Sequence, residues 1–281
     1  MRARKRFGQH FLQPAWADRI ADAIGLVPTD AVIEVGPGQG VLTRALLARH
    51  QALTAIEIDR DLIAALREAL PATVQLIEGD VLRQEWRVLA GTASAWHASA
   101  SGGPAGAVRV VGNLPYNIAS PLLVDLLHAA RDGVAMQDAV VMVQREVADR
   151  IAAAPDTADY GPLAVVMQTW ADVTRLMDVP PGAFRPMPKV WSSVIRLTWR
   201  PADLEIASVE TFDLVSRRVF QQRRKQLANA LHGLAQERGA DAGAWLAGAG
   251  LDPTRRPGTL SRPELARLAA VVGRAKPGLV V

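Results

Sequence analysis

The 281-residue chain contains no cysteine, which excludes disulfides, thiol nucleophiles and thiolate metal sites. Histidine is scarce too. His10, His50, His97, His128 and His232 fall at no ligand-like spacing, so no resident metal is expected. No apolar run approaches the roughly 18 residues of a membrane span. The basic stretch Met1–Phe7 is followed by no apolar segment of leader length. The expectation is a cytoplasmic protein with no membrane partner. A strong excess of either charge sign is also missing, with 32 Lys and Arg against 28 Asp and Glu.

What the chain does have is a globular composition, 49% hydrophobic and 21% charged, over a length that suits one large domain and a small one. From Ala31 to about Asp178, short apolar runs alternate with helix-period segments, the pattern of a doubly wound α/β sheet. Strands are predicted at Ala31–Val35, Leu53–Ile58, Val74–Ile77, Val108–Val111 and Ala139–Val143. Two later runs, Val173–Met177 and Ser193–Thr198, flank a proline-rich loop and suggest an antiparallel edge hairpin. Gly91–Ala107, rich in Ala, Ser and Gly, reads as a flexible surface insertion. Around Arg200 the pattern becomes purely helical. The division expected is residues 1–201 as a Rossmann-like domain and 202–281 as a small all-helical domain. The second carries 12 Lys and Arg against 8 Asp and Glu, while the first is neutral overall.

Three strand ends carry the first candidate site. Glu34-Val35-Gly36-Pro37-Gly38-Gln39-Gly40 joins a strand to a helix, and its glycines let the backbone approach a ligand at the helix N-terminus. The spacing differs from the Gly-x-Gly-x-x-Gly dinucleotide fingerprint. Glu57 ends the next strand, 21 residues after Gly36, where a carboxylate can accept both ribose hydroxyls. Asp80, followed by Val81, ends the third and can accept from an adenine amino group. A nucleoside without phosphates and with an amino-acid tail fits better than NAD, which points to S-adenosylmethionine.

A second site follows the fourth strand in Gly112-Asn113-Leu114-Pro115-Tyr116. An amide and backbone carbonyls accept hydrogen bonds, and a ring offers a flat face, as an exocyclic amine on a planar base requires. If the Asn113 side-chain oxygen and the Leu114 carbonyl accept the two N–H bonds, the amine nitrogen is drawn towards tetrahedral geometry and its lone pair is freed. Positioning then does most of the catalysis without a strong base. Pro115 fixes the turn. Tyr116 supplies one stacking face for a flipped-out base, and Phe184, in the proline-rich loop, is the candidate for the other.

These motifs, with Arg4–Leu12, Gln144–Arg150, Tyr160–Leu163, Phe184–Ser193 and Phe220–Ala230, resemble the bacterial small-subunit (16S) ribosomal RNA adenine dimethyltransferases, the kasugamycin-resistance family. The resemblance runs through most of the chain. It implies that His10, Leu12, Gly36, Gly38, Glu57, Asp80, Val81 and Asn113 line the S-adenosylmethionine site. It also implies dimethylation at N6 of two adjacent adenosines in a hairpin loop near the 3′ end of 16S RNA in the 30S particle. A monomer acting late in subunit biogenesis is expected. Arg4, Lys5 and Arg6, together with Arg217, Arg218, Arg223, Arg224 and Lys225 on one predicted helix, are the candidate RNA contacts. Two other readings stay open: a 23S RNA adenine dimethylase, and an assembly factor that binds RNA without turnover.

Overall fold

The computed structural model describes residues 10–274, so the candidate RNA contacts Arg4, Lys5 and Arg6 lie outside the described residues. The chain divides into two compact units. One comprises the chain up to Ala148 together with Asp172–Trp199, and the other Asp149–Ala171 together with the chain from Arg200 onward.

The first unit is built on a seven-stranded sheet. After a short strand β1 (Phe11–Leu12) and helix α1 (Pro14–Ile24) come β2 (Ala31–Val35), α2 (Val41–Leu47), β3 (Leu53–Glu57), α3 (Arg60–Ala69) and β4 (Val74–Glu78). There follow α4 (Trp86–Ser101), β5 (Val108–Asn113), α5 (Ala119–Arg131), β6 (Met136–Gln144) and α6 (Arg145–Ala152). The remaining strands are β7 (Ala171–Val179), β8 (Phe184–Arg185) and β9 (Ser192–Trp199). The strand order is β4-β3-β2-β5-β6-β9-β7, with β2 paired in parallel to both β3 and β5. Strand order therefore reverses direction at β2/β5, the switch point where open α/β sheets bind ligands beyond the carboxyl ends of their strands. All five residues of β2 and all five of β3 are buried, as expected for parallel strands covered on both faces. The two strands expected as an edge hairpin, β7 and β9, are neighbours at that edge of the sheet, and β9 runs antiparallel to β6.

The Gly91–Ala107 expectation is corrected. Residues through Ser101 continue α4, and Leu89, Ala90, Ala93 and His97 are buried along one side of it. Alanine is the best helix former, and this spacing gives the helix an apolar face to bury, so the composition that suggested a flexible loop instead suits a packed helix.

A buried ion cluster sits among the starts of the central strands. Arg109 on β5 donates to Asp30 at 3.0 Å and, through two nitrogens, to Asp138 on β6 at 2.7 and 2.8 Å. It also donates to the Ile24 and Gly25 carbonyls at the C-terminus of α1, each at 3.0 Å. One guanidinium thus neutralises two carboxylates and caps a helix end whose dipole favours a cation.

The second unit contains α7 (Pro162–Trp170), α8 (Val209–Gln221), α9 (Leu227–Glu237), α10 (Ala242–Gly248) and α11 (Arg262–Arg274). Its boundary near Arg200 is where the sequence pattern changes. Asp149–Ala171, by contrast, was expected in the first domain and packs in the second unit instead. The aromatic contacts explain this: Trp170 meets Phe212 edge-on at 5.6 Å, and Tyr160 meets Phe220 at 5.7 Å.

Arg109→Ala would leave Asp30 and Asp138 buried without their main partner. A loss of about 3–5 kcal/mol in urea unfolding is expected, and a loss below about 1 kcal/mol would show the cluster to be dispensable.

Candidate functional site

Beyond the carboxyl ends of β2, β3, β4 and β5 lies a cavity of about 320 Å³. The backbone makes it possible. Gly36, Gly38 and Gly40 have φ of 67°, 59° and 71°, so the turn from β2 to α2 runs through the left-handed region, where a side chain is strained. A Cβ on Gly40 would also come within 2.9 Å of Leu66 Cδ2. Across the switch point, a Cβ on Gly112 would lie 2.5 Å from the Val35 carbonyl oxygen. Only glycine lets β5 pass β2 there and carry Asn113 to the rim.

Every residue expected at the methyl-donor site lines this one cavity: His10, Leu12, Gly36, Gly38, Glu57, Asp80, Val81 and Asn113. Leu114, Pro115 and Tyr116 line it as well. Glu57 is 6% exposed; its Oε1 accepts from the Ile58 and Asp59 amides at 2.9 and 3.0 Å, and its Oε2 from Gly38 at 3.1 Å. Burial pushes its carboxyl above the ordinary range, and the three amides oppose that shift. Asp80 Oδ1 accepts from Leu82 N–H at 3.0 Å, capping the short turn Val81–Arg83. The Asn113 side chain has a definite orientation, because Nδ2 donates to the His10 carbonyl at 3.2 Å and Oδ1 is thereby left as the acceptor. His10 is held in turn by Nδ1 donating to the Pro186 carbonyl at 2.8 Å, and its ring stacks on Tyr116 at 5.6 Å. The Tyr116 hydroxyl lies 3.4 Å from Ser192 Oγ.

Glu34 was not singled out from the sequence, yet it lines the cavity, 1% exposed, with Oε2 lacking a hydrogen-bond partner. The available signal was its place at the head of the glycine loop. With Glu57 and Asp80 it makes three carboxyl groups on a wall where no Lys or Arg stands among the described residues. Such a wall disfavours phosphates and favours a cationic ligand. A sulfonium that also carries an ammonium group meets that requirement, so the donor set fits S-adenosylmethionine.

The amino-acid sequence matches the family model described as "Ribosomal RNA adenine dimethylase" over residues 1–244. The chain belongs to that family. It is 44% identical over 273 residues to "Ribosomal RNA small subunit methyltransferase A" of Xanthomonas euvesicatoria pv. vesicatoria, with 96% of each chain covered. A protein of the same name from Xanthomonas oryzae pv. oryzae is 46% identical over 233 residues, covering 82% of this chain and 83% of that one. Among solved structures, the fold resembles a dimethyladenosine transferase from Plasmodium falciparum (TM-score 0.68, 21% identity, 92% and 96% covered). It also resembles the 23S rRNA methyltransferase ErmE (TM-score 0.63, 26% identity, 94% and 100% covered). This member of the ribosomal RNA adenine dimethylase family is an S-adenosylmethionine-dependent methyltransferase with the Rossmann-like α/β sheet described above.

Two expectations need correction. Phe184 does not line the cavity: it is 1% exposed in the core with Val179, Ala183 and Val194, and β8 pairs it with Leu12 of β1. Its ring anchors the proline-rich loop, and a face for a base is not exposed there. Nor do the basic residues of the second unit share one helix. α8 stops at Gln221, so only Arg217 and Arg218 are helical, while Arg223, Arg224 and Lys225 lie in the turn before α9. Arg218 pairs with Glu237 at 2.6 Å, and Arg223 donates to the Thr157 carbonyl at 2.8 Å. Arg224 and Lys225 are exposed.

Burial raises the Glu34 carboxyl to about 7. The stability this contributes is complete below the unfolded value near 4.5 and is lost as pH rises through about 7. Glu34→Gln should therefore hold its stability between those limits while the native protein declines, by up to ~3 kcal/mol. Thermal unfolding across that range is the measurement, and parallel curves would refute the assignment.

Proposed function

We infer that the protein transfers methyl groups from S-adenosylmethionine to N6 of two adjacent adenosines in a hairpin loop near the 3′ end of 16S RNA, within the 30S particle. The observation that carries this reading is one continuous space lined both by the carboxylates of three strand ends and by Asn113–Tyr116. The small-subunit assignment is supported by the name and 44% identity of the Xanthomonas euvesicatoria relative over nearly the whole chain. The first unit is read as catalytic and the second as RNA-binding. Arg224 and Lys225 supply phosphate contacts, with Arg217, whose Nε donates to the Asp213 carbonyl at 3.3 Å, beside them; Arg4, Lys5 and Arg6 are proposed to add to them. Arg218 and Arg223, already engaged, contribute less. The setting is late small-subunit biogenesis in the cytoplasm, with the enzyme acting as a monomer.

S-adenosylmethionine supplies, when bound, an electrophilic methyl group on a sulfonium centre. Glu57 accepts from the ribose hydroxyls and Asp80 from the adenine amino group, while Gly36 lets the backbone approach the methionine part. His10 and Leu12 close the site, and Gly38 and Val81 complete its wall. On the target side, Asn113 Oδ1 and the Leu114 carbonyl accept the two N6–H groups before the first transfer and the one remaining N–H before the second, releasing the lone pair from the ring. Each methyl gained is balanced by one proton lost from N6 to solvent. The Asn113 amide cannot simply turn over, because Nδ2 is committed to His10. Pro115 holds the turn, and the face of Tyr116 turned away from His10 stacks on the base. Orientation and charge stabilisation supply the acceleration.

Labelled S-adenosylmethionine supplied separately with 16S RNA, 23S RNA and unmethylated 30S particles should place label only near the 3′ end of 16S RNA. Label confined to 23S RNA would overturn the substrate. Asn113→Ala should keep cofactor binding within a few-fold, measured by calorimetry, and lower the methylation rate at least about 100-fold, as loss of a transition-state hydrogen-bonding group does. Near-normal methylation by that variant would sink the mechanism.

A further inference from the structure

The segment from Met187 to Trp191 exposes three large apolar side chains within five residues: Met187 at 64%, Val190 at 42% and Trp191 at 46%. Single exposed apolar residues need no explanation, but a cluster that includes an indole does. Its place in the fold is informative. The Trp191 carbonyl accepts from Arg145 N–H at 2.9 Å, at the carboxyl end of β6, and the next residue, Ser192, pairs with Gln144. Ser192 Oγ in turn lies 3.4 Å from the Tyr116 hydroxyl, and the Pro186 carbonyl holds His10. The patch therefore continues the rim of the cavity from β5 across β6 to β9, about two strand spacings across and three residues along from Asn113, or ~14 Å. The loop is anchored at both ends, by buried Phe184 and buried Ser192.

Charge around the patch points to one occupant. Residues 180–192 include Arg185 and Lys189, both exposed, and no acidic residue. Arg185 Nη1 donates to the Phe184 carbonyl at 2.8 Å and keeps its other nitrogens available, and exposed Glu146 lies on the neighbouring α6. A flat aromatic face flanked by cations matches an unpaired base followed by its phosphate.

We propose that Trp191, with Met187 and Val190 beside it, is a stacking platform for an unpaired nucleotide neighbouring the target adenosine, and that Arg185 and Lys189 hold the adjoining phosphate. This rests on the RNA-methylation reading above and adds a substrate-binding residue outside the cavity. It also places an aromatic face at the rim, where buried Phe184 supplies none.

The test is steady-state methylation of unmethylated 30S particles by the native protein, Trp191→Ala and Trp191→Phe. Trp191→Ala should raise KM for the RNA substrate about tenfold, the effect of losing one stacked base. Its kcat, its KM for S-adenosylmethionine and its unfolding temperature should stay unchanged. Trp191→Phe, which keeps a ring, should restore most of the loss. With p-benzoylphenylalanine in place of Trp191, photo-crosslinking should label 16S RNA close to the methylated adenosines. An unchanged KM in Trp191→Ala, a phenylalanine variant as poor as the alanine one, or a crosslink to a ribosomal protein or a second copy would each overturn the proposal. Methyl label appearing on 23S RNA instead would refute the substrate reading alone, and the same three proteins measured on that RNA would still decide the role of Trp191.

Discussion

The contact between Gly112 and the Val35 carbonyl constrains everything at the site. A Cβ there would sit 2.5 Å from that oxygen, so β5 approaches β2 this closely only because residue 112 has no side chain. The approach delivers Asn113 to the rim and lays Pro115 over Gly36, whose own Cβ position is 3.8 Å from the proline ring. Shifting β5 outward by even one ångström would separate the amine-accepting amide from the donor wall, and alignment of reacting groups is steep in distance. Both glycine features, the left-handed turn after β2 and the bare position before Asn113, serve that single juxtaposition.

Around it the electrostatics divide sensibly. At one end of the sheet Arg109 neutralises Asp30 and Asp138 and caps α1, so burial of charge there is compensated. At the other end Glu34, Glu57 and Asp80 line a cavity to which, among the described residues, no Lys or Arg contributes, although Arg83 stands 3.7 Å from Asp80 outside it, and burial raises the carboxyls of Glu34 and Glu57. The first arrangement is finished within the chain. The second presents only carboxyls to the cavity and leaves Glu34 Oε2 without a partner, which is the physical reason to place a sulfonium there rather than a pyrophosphate.

Most of the sheet and the donor wall were legible from the sequence because each signal is local. Val-Ile-Glu-Val before a glycine turn, Glu57 at the next strand end and Asp80 at the one after are set by strand length and turn chemistry over a few residues. The misreadings came where one composition serves two structures. The stretch after Gly91 is mostly Ala, Ser and Gly around a single large apolar residue, Trp96, so its packing face becomes evident only once α4 is seen to bury Ala93 and His97 in line with Leu89. Phe184 in a proline-rich loop looks the same whether it anchors the loop or faces a base, and its pairing with Leu12, far away in sequence, decides for the anchor.

The sequence by itself determined the alternation of strands and helices, the glycine turns and the chemical inventory of amide, ring and carboxylates, because these follow from periodicity, backbone preference and residue type over short distances. Only the tertiary structure decided which of them meet. The Asn113 amide takes its orientation from the His10 carbonyl, Arg218 is engaged by Glu237, and Trp191 reaches the rim through β6 and β9. Those outcomes depend on pairings across 103, 19 and 46 residues, set by strand register and packing that no local stretch of chain encodes.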